Sequence, residues 1–196
     1  SINVLNPINQ LNLYGFEEYF NNFIKLFKKN LLPNCILLSG NKGLGKTTFA
    51  YHFANYVFSI NENEKYSIAD YSINPNNTSY KHVCNNTHPN FFLIKKLSKE
   101  KQIKIEQIRE LKKYLNHSTL SNEIKIVLID DIESLNLNSA NALLKSIEEP
   151  NKNVFFLIIQ DSNKEILDTI SSRCLKFNFM FSKFKNEEIL KNLFNQ

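Results

Sequence analysis

Gly40, Gly45, Lys46 and Thr47 stand at the spacing G-x-x-x-x-G-K-[ST], directly after the apolar run Cys35-Ile36-Leu37-Leu38-Ser39 and directly before a segment fit to begin a helix. Residues of these types at this spacing grip phosphate: backbone N–H groups of a glycine-rich turn wrap the phosphates of a nucleotide, and the following helix points its positive end inward. The whole loop comprises Gly40, Asn41, Lys42, Gly43, Leu44, Gly45, Lys46, Thr47 and Thr48. Its glycines let the backbone turn and approach closely, Lys46 reaches the outer phosphates, and the Thr47 hydroxyl can ligand Mg²⁺. Three of the four glycines in the chain lie here. A second group belongs with the first. The apolar run Ile124 to Ile129 ends in Asp130-Asp131, the form of a Walker B element, in which Asp130 holds Mg²⁺ through water opposite Thr47.

These groups need strands to carry them. Phe16, Tyr19, Phe20, Phe23, Ile24 and Phe27 recur at helical spacing, and Pro33-Asn34 turns the chain into the strand before the loop. Ala50, Phe53, Ala54 and Val57 continue as the inner face of the phosphate-binding helix. Residues 61–90 are polar and weakly periodic, which predicts a long surface excursion with one short helix. Phe91 to Ile94 predicts a second strand. Ile105, Ile108, Leu111 and Leu115 form a helical stripe. After the Asp130 strand, Ser139 or Asn138 is expected to cap a helix with Ala140, Leu143, Leu144 and Ile147 inward, ended by Glu148-Glu149-Pro150. Val154 to Ile159, tipped by Gln160 and Asp161, and Leu175 to Phe179 supply strands four and five, with a helix-like segment from Lys164 to Ile170 between them. Another helix starts near Asn186. Short apolar strands alternating with helices predict an α/β fold, a five-stranded parallel sheet with helices on both faces and nucleotide at the C-terminal strand ends.

The 196 residues suit one α/β domain, or one such domain with a fragment of another, and a hydrophobic fraction of 42% is enough for a core. The chain begins at Ser1 rather than Met, as a fragment would. Neither a membrane span nor a signal segment is visible, so a cytoplasmic protein with no membrane partner is expected. Cys35, Cys84 and Cys174 are odd in number and far apart, which argues against a disulfide and for a reducing compartment. Cys84 with His82 and His88 lacks a second cysteine pair, and no zinc is expected there. A net charge of +5 permits contact with nucleic acid without requiring it; Lys95, Lys96 and Lys99 read as solvated surface.

Four passages together resemble the AAA+ clamp-loader ATPases of bacterial DNA polymerase III: Leu32 to Thr48; Ile105 to Leu111; Asn141-Ala142-Leu143-Leu144-Lys145-Ser146-Ile147-Glu148-Glu149-Pro150, which is similar to the family's N-A-L-L-K-x-x-E-E-P helix; and Ser172-Arg173-Cys174, which matches its S-R-C motif. The resemblance covers nearly the whole chain. It implies an AAA+ domain over 1–180, the start of a helical lid over 181–196, and a collar domain that is missing. It implies ATP and Mg²⁺ as cofactors, and as partners gamma/tau-type and delta-type subunits and, through the assembly, a sliding clamp and primed DNA. Arg173 would act in trans, reaching the ATP of a neighbour.

The sequence departs from the family pattern at informative places. Motor subunits carry Asp-Glu where Asp130-Asp131 stands here, so the water-polarising carboxylate is one methylene short and hydrolysis is the step affected. The sensor position, usually a small polar residue, is Gln160 or Asp161. The zinc cysteines of many relatives are absent. These departures fit a stator that binds ATP, turns it over slowly or not at all, and lends Arg173. A gamma/tau-type motor is the alternative. An unrelated P-loop kinase would explain residues 40–47 but neither the N-A-L-L-K helix nor Arg173.

Overall fold

The apolar runs pair with one another in the computed structural model, which describes residues 6–117, 122–149, 151, 153–181 and 183–195. In chain order the elements are α1 (Glu17–Lys28), β1 (Cys35–Gly40), α2 (Lys46–Phe58), α3 (Thr78–Cys84), β2 (Phe91–Ile94), α4 (Ile105–His117), β3 (Lys125–Ile129), α5 (Leu137–Glu148), β4 (Val154–Asp161), α6 (Asp168–Ser171), β5 (Leu175–Asn178) and α7 (Lys183–Phe194). The chain divides into two units. One contains the sheet and comprises Pro33–Lys42 and Asn90–Phe179; the other comprises Ser1–Leu32, Gly43–Pro89 and Met180–Gln196.

In the sheet unit the strand order is β2-β3-β4-β1-β5, and every pairing is parallel. Parallel strands buried on both faces need continuous apolar runs rather than alternation, and Ile36, Leu37, Leu38, Ile126, Val127, Leu128 and Ile158 are all 0% exposed. Cys35, Leu37, Val127, Ile129, Phe156 and Ile158 form one core with Ile108 and Leu111 of α4, Ala140 and Leu143 of α5, and Ile170 of α6. The apolar stripe of α4 therefore packs on the sheet.

Some boundaries differ from expectation. Strand β4 runs two residues further and takes in Gln160 and Asp161. Helix α5 begins at Leu137 and is capped by Asn136, whose Oδ1 accepts the Ser139 N–H at 2.8 Å. Ser139 itself is buried inside the helix. The segment from Lys164 forms only the short helix α6. Glu148 ends α5 as expected, whereas Pro150 lies outside the described residues.

Two of the three cysteines pair, against the expectation of no disulfide. Cys35 and Cys174 are joined as a disulfide across 139 residues of sequence, with Cα atoms 4.7 Å apart. Parallel pairing of β1 with β5 sets Ile36 opposite Leu175, so the residues just before them also meet. Separation along the chain says nothing about this, since register decides it. Cys35 is nevertheless buried in the core, as its apolar strand predicts, and Cys84 is free.

The other unit is built on aromatic rings. Phe20, Phe23 and Phe27 of α1 meet Phe49 and Phe53 of α2 edge to face, with the Phe23 and Phe53 centroids 4.7 Å apart and those of Phe23 and Phe49 5.4 Å apart. Such pairs add about 0.5–1.5 kcal/mol each beyond the burial of their area. The segment 61–90 is more than a surface excursion, because Tyr66, Ile73, Asn77 and Val83 are buried. Its polar residues satisfy one another. Asn55 and Asn77 exchange amide hydrogen bonds of 2.9 and 3.1 Å, and Asn77 also caps α3. His52 Nε2 donates to the Gln10 carbonyl and Nδ1 lies against the Tyr66 hydroxyl, both at 2.8 Å, contacts that the neutral ring satisfies with Nδ1 as acceptor. Burial holds its pKa down at about 4, although the Gln10 carbonyl acts the other way.

Two outcomes follow from these contacts. Thiol counting in unreduced denaturant should find one reactive cysteine, Cys84, and three after reduction; three without reductant would show Cys35 and Cys174 unpaired. Because unfolded histidine takes up a proton near pH 6.5 and His52 resists until about 4, stability should be fully present above 6.5. It should fall between pH 6.5 and 4 by on the order of 3 kcal/mol, a slope that urea titrations should find flattened in His52→Gln.

Candidate functional site

The predicted phosphate loop leaves the sheet unit at the end of β1 and enters the other unit at the start of α2, with Gly40, Asn41 and Lys42 in the first and Gly43 to Thr48 in the second. Within the sheet unit, Gly40 lies in register with Asp161 of β4. The Ser162 N–H donates to the Gly40 carbonyl at 3.0 Å, and the Ser162 hydroxyl donates to Asn41 Oδ1 at 3.2 Å. The end of β4 thus clips the first turn of the loop. Nothing in the spacing of Asn41 and Ser162 announces this contact.

Beyond the clip the backbone does what the glycines allow. Gly43 and Gly45 have φ of +82° and +98°, the left-handed region that side chains disfavour. A Cβ on Gly45 would also lie 3.3 Å from the Phe16 ring. Helix α2 starts at Lys46 with no side-chain cap from Gly45 and no acidic residue in its first turn. Lys46 is only 5% exposed. An uncapped helix start is a ready anion receptor.

In the sheet unit the chain leaves β1 toward β2 on one side, and leaves β4 toward β5 on the other. This is a topological switch point, and ligands of such sheets bind outside the carboxyl ends of the strands there. Asp130 follows β3 at that end, and its N–H donates to the Ile94 carbonyl at 2.8 Å. Its Oδ1 accepts the Asp131 N–H at 2.9 Å. Asp131 is left-handed at φ +55° and opens a 3₁₀ turn, Ile132–Ser134. In that turn the Glu133 carboxyl is held above the usual range, chiefly by burial, with the Asp131 charge acting in the same direction and Lys164 opposing it.

Gln160 is buried at the end of β4, with Nε2 donating to the Lys164 carbonyl at 3.2 Å. Its register partner on β1 is Ser39. Gln160 Oε1, Ser39 Oγ and Glu133 Oε2 are buried without a hydrogen-bond partner among the described residues. Unpaired buried polar atoms are uncommon in folded proteins; Ser139 Oγ, inside α5, is another. Sequence reasoning noticed Gln160 only as an irregular sensor and missed Ser39 and Glu133, whose polar atoms matter only once register sets them.

Arg173 lies elsewhere. It follows α6 and precedes β5, so it sits beside the start of β1, since Ile36 pairs with Leu175. From there to Gly40 is five residues of strand, roughly 16 Å at about 3.3 Å per residue. Arg173 and Asp130 occupy opposite ends of one sheet. The guanidinium is half exposed and ion-paired to Glu148, the last residue of α5. A cleft of about 550 Å³ lined in part by Lys112, Asn116, Lys145 and Glu149 lies near the start of β4, away from Gly40 and Asp130.

The residues once grouped as a metal candidate have other contacts. His82 Nδ1 lies 2.9 Å from the Thr87 hydroxyl, and His88 stacks on Phe58 with centroids 4.1 Å apart. Among the described residues, no helix is long and apolar enough to cross a membrane.

A parallel sheet ordered β2-β3-β4-β1-β5, with a glycine-rich turn after β1 and a carboxylate after β3, defines a P-loop protein of the AAA+ fold, a class built around bound nucleotide. Residues 15–183 match the family model described as DNA polymerase III, delta subunit. The chain belongs to this family of bacterial clamp-loader proteins. It is similar to DNA polymerase III subunit delta' of Pseudomonas aeruginosa, with 31% identity over 140 residues, 71% of this chain and 41% of the relative. It is also similar to DNA polymerase III subunit gamma of Buchnera aphidicola subsp. Acyrthosiphon pisum, with 31% identity over 158 residues, 80% of this chain and 40% of the relative. Among solved structures, a DNA polymerase III gamma subunit-related protein from Thermotoga maritima superposes with TM-score 0.54 at 20% identity, over 88% of this chain and 49% of that one; this likeness speaks for the fold. The chain spans less than half the length of each of these three proteins. Family membership sets the unrelated kinase aside.

The geometry at the loop predicts that Gly45→Ala destabilises the fold by about 1–2 kcal/mol, the cost of a left-handed alanine, to which crowding by Phe16 adds. Urea unfolding measures this, and an unchanged midpoint would show that the loop backbone is not held as described.

Proposed function

We propose that this chain is the nucleotide-binding part of a stator-type clamp-loader subunit. It binds ATP with Mg²⁺ at its own loop, hydrolyses it slowly or not at all, and lends Arg173 to the nucleotide of a neighbouring subunit. The observation that carries the reading is the place of Arg173, beside the start of β1 and about 16 Å along the strand from Gly40, with Asp130 also at the far end. An arginine so placed is poorly sited for phosphates at its own strand tips and well sited for those of another molecule.

The residues present suit the nucleotide. The α2 start, which no side chain caps, is a ready receptor for an anion. Lys46 would meet the outer phosphates, backbone N–H groups of residues 40–48 would wrap them, and Thr47 and Asp130 would hold Mg²⁺. The ion supplies charge neutralisation between phosphates when bound. Asp131 has a short side chain and a backbone committed to the turn that follows it, which supports weak hydrolysis.

In the assembly, gamma/tau-type and delta-type subunits would be the immediate partners, with the sliding clamp and primed DNA reached through them. That work would place the protein in the cytoplasm. We assign 1–180 to the AAA+ domain and 181–196, within which α7 falls, to the beginning of a lid. A gamma/tau-type motor is the second reading, favoured by the complete G-x-x-x-x-G-K-T loop and the similarity to a gamma subunit.

Lys46→Ala should weaken ATP binding at least about tenfold, since it removes a charged contact, with the circular dichroism unchanged; equal affinity by calorimetry would remove the loop from the argument. In the assembled complex, Arg173→Ala should lower ATPase activity by a factor of roughly 10³, the lower end for such arginines in GTPases. Brisk turnover by the isolated chain would favour the motor.

A further inference from the structure

The Arg173 side chain is held at both terminal nitrogens by its own unit. Nη1 donates to the Thr169 carbonyl of α6 at 2.8 Å, with the Ser172 hydroxyl at 3.5 Å. Nη2 meets Glu148 Oε1 at 2.5 Å, and the two side chains are 39% and 40% exposed. Glu148 is an unfavourable residue for its own helix, because a carboxylate at the C-terminus of α5 faces the negative end of the dipole. Its partner is what offsets that cost.

An exposed arginine samples many rotamers, and fixing it forfeits up to about 2 kcal/mol of side-chain entropy. A finger already aimed avoids most of that loss when it engages. We infer that Glu148 is a positioning residue for Arg173: it fixes the guanidinium against α6 so that the donors not used within the chain face outward. The guanidinium has five N–H donors, more than these contacts occupy, so ion pairing with Glu148 and hydrogen bonding to an outside phosphate are compatible. The inference rests on the proposed role of Arg173 in trans.

The test uses the whole protein assembled with its partner subunits. Glu148→Gln keeps size and polarity but removes the charge. It should lower kcat of the assembly about two- to fivefold, the range of a half-exposed ion pair, with KM unchanged. Glu148→Asp should recover part of the loss. On an Arg173→Ala background, Glu148→Gln should cost nothing further. In nitrogen-15 spectra of the protein, the Arg173 Nη signals should be separate and should merge in Glu148→Gln as the guanidinium rotates freely.

An additive loss, an unchanged rate, or a faster rate in Glu148→Gln would overturn the inference, the last showing that Glu148 restrains the finger instead. If Arg173→Ala itself leaves the assembly rate unaltered, the trans reading has failed and takes this inference with it. Separate Nη signals would then identify the ion pair as structural only.

Discussion

The central constraint is the parallel pairing of β1 with β4 on one side and β5 on the other. That pairing sets Gly40 against Asp161 at one end and joins Cys35 to Cys174 at the other. The apolar run that satisfies it, Ile36-Leu37-Leu38, is fully excluded from water. Shifting the strand by one residue would exchange its two faces, carry the loop away from Ser162 and draw Cys35 away from Cys174.

Chemistry at the ligand end then depends on what is left unsatisfied. A helix that starts without a side-chain cap and three polar atoms without partners at the strand tips would be faults in a purely structural protein. Ser139 Oγ, inside α5, is likewise buried without a hydrogen-bond partner among the described residues, but several polar groups away from the strand tips are matched. His52 and Asn55 of α2 bond to Tyr66 and Asn77 of the segment that follows it, so a stretch with few apolar residues is still fixed. The contrast between a settled polar interior in one place and an unsettled one in another separates scaffold from site.

How much of this the sequence discloses depends on the distance over which each signal acts. Strand β1, the loop and α2 follow one another without interruption, so periodicity and glycine content suffice. The Asp130 tip is equally local. Arg173 is an ordinary arginine by spacing and is singled out only by its resemblance to a family motif. Its support by Glu148 is beyond sequence reading, because a lone glutamate at a helix end carries no mark of its partner 25 positions away. The Cys35–Cys174 bond is hidden for a related reason: only strand register brings the residues together. The cap of α5 was misplaced by two or three residues because Asn136, Asn138 and Ser139 are all competent caps, and packing chose the first.

Arg173 and Gly40 stand at opposite ends of a single sheet and give that sheet a direction; under the proposed contact in trans the first would be a plug and the second part of a socket. Two copies related by a twofold axis present the same patch to each other and cannot seat the plug of each in the socket of the other unless both lie on that patch. Head-to-tail stacking satisfies every junction but the last. An arrangement of this kind either bends round until its ends meet or leaves one seam where a terminal arginine and a terminal loop face nothing.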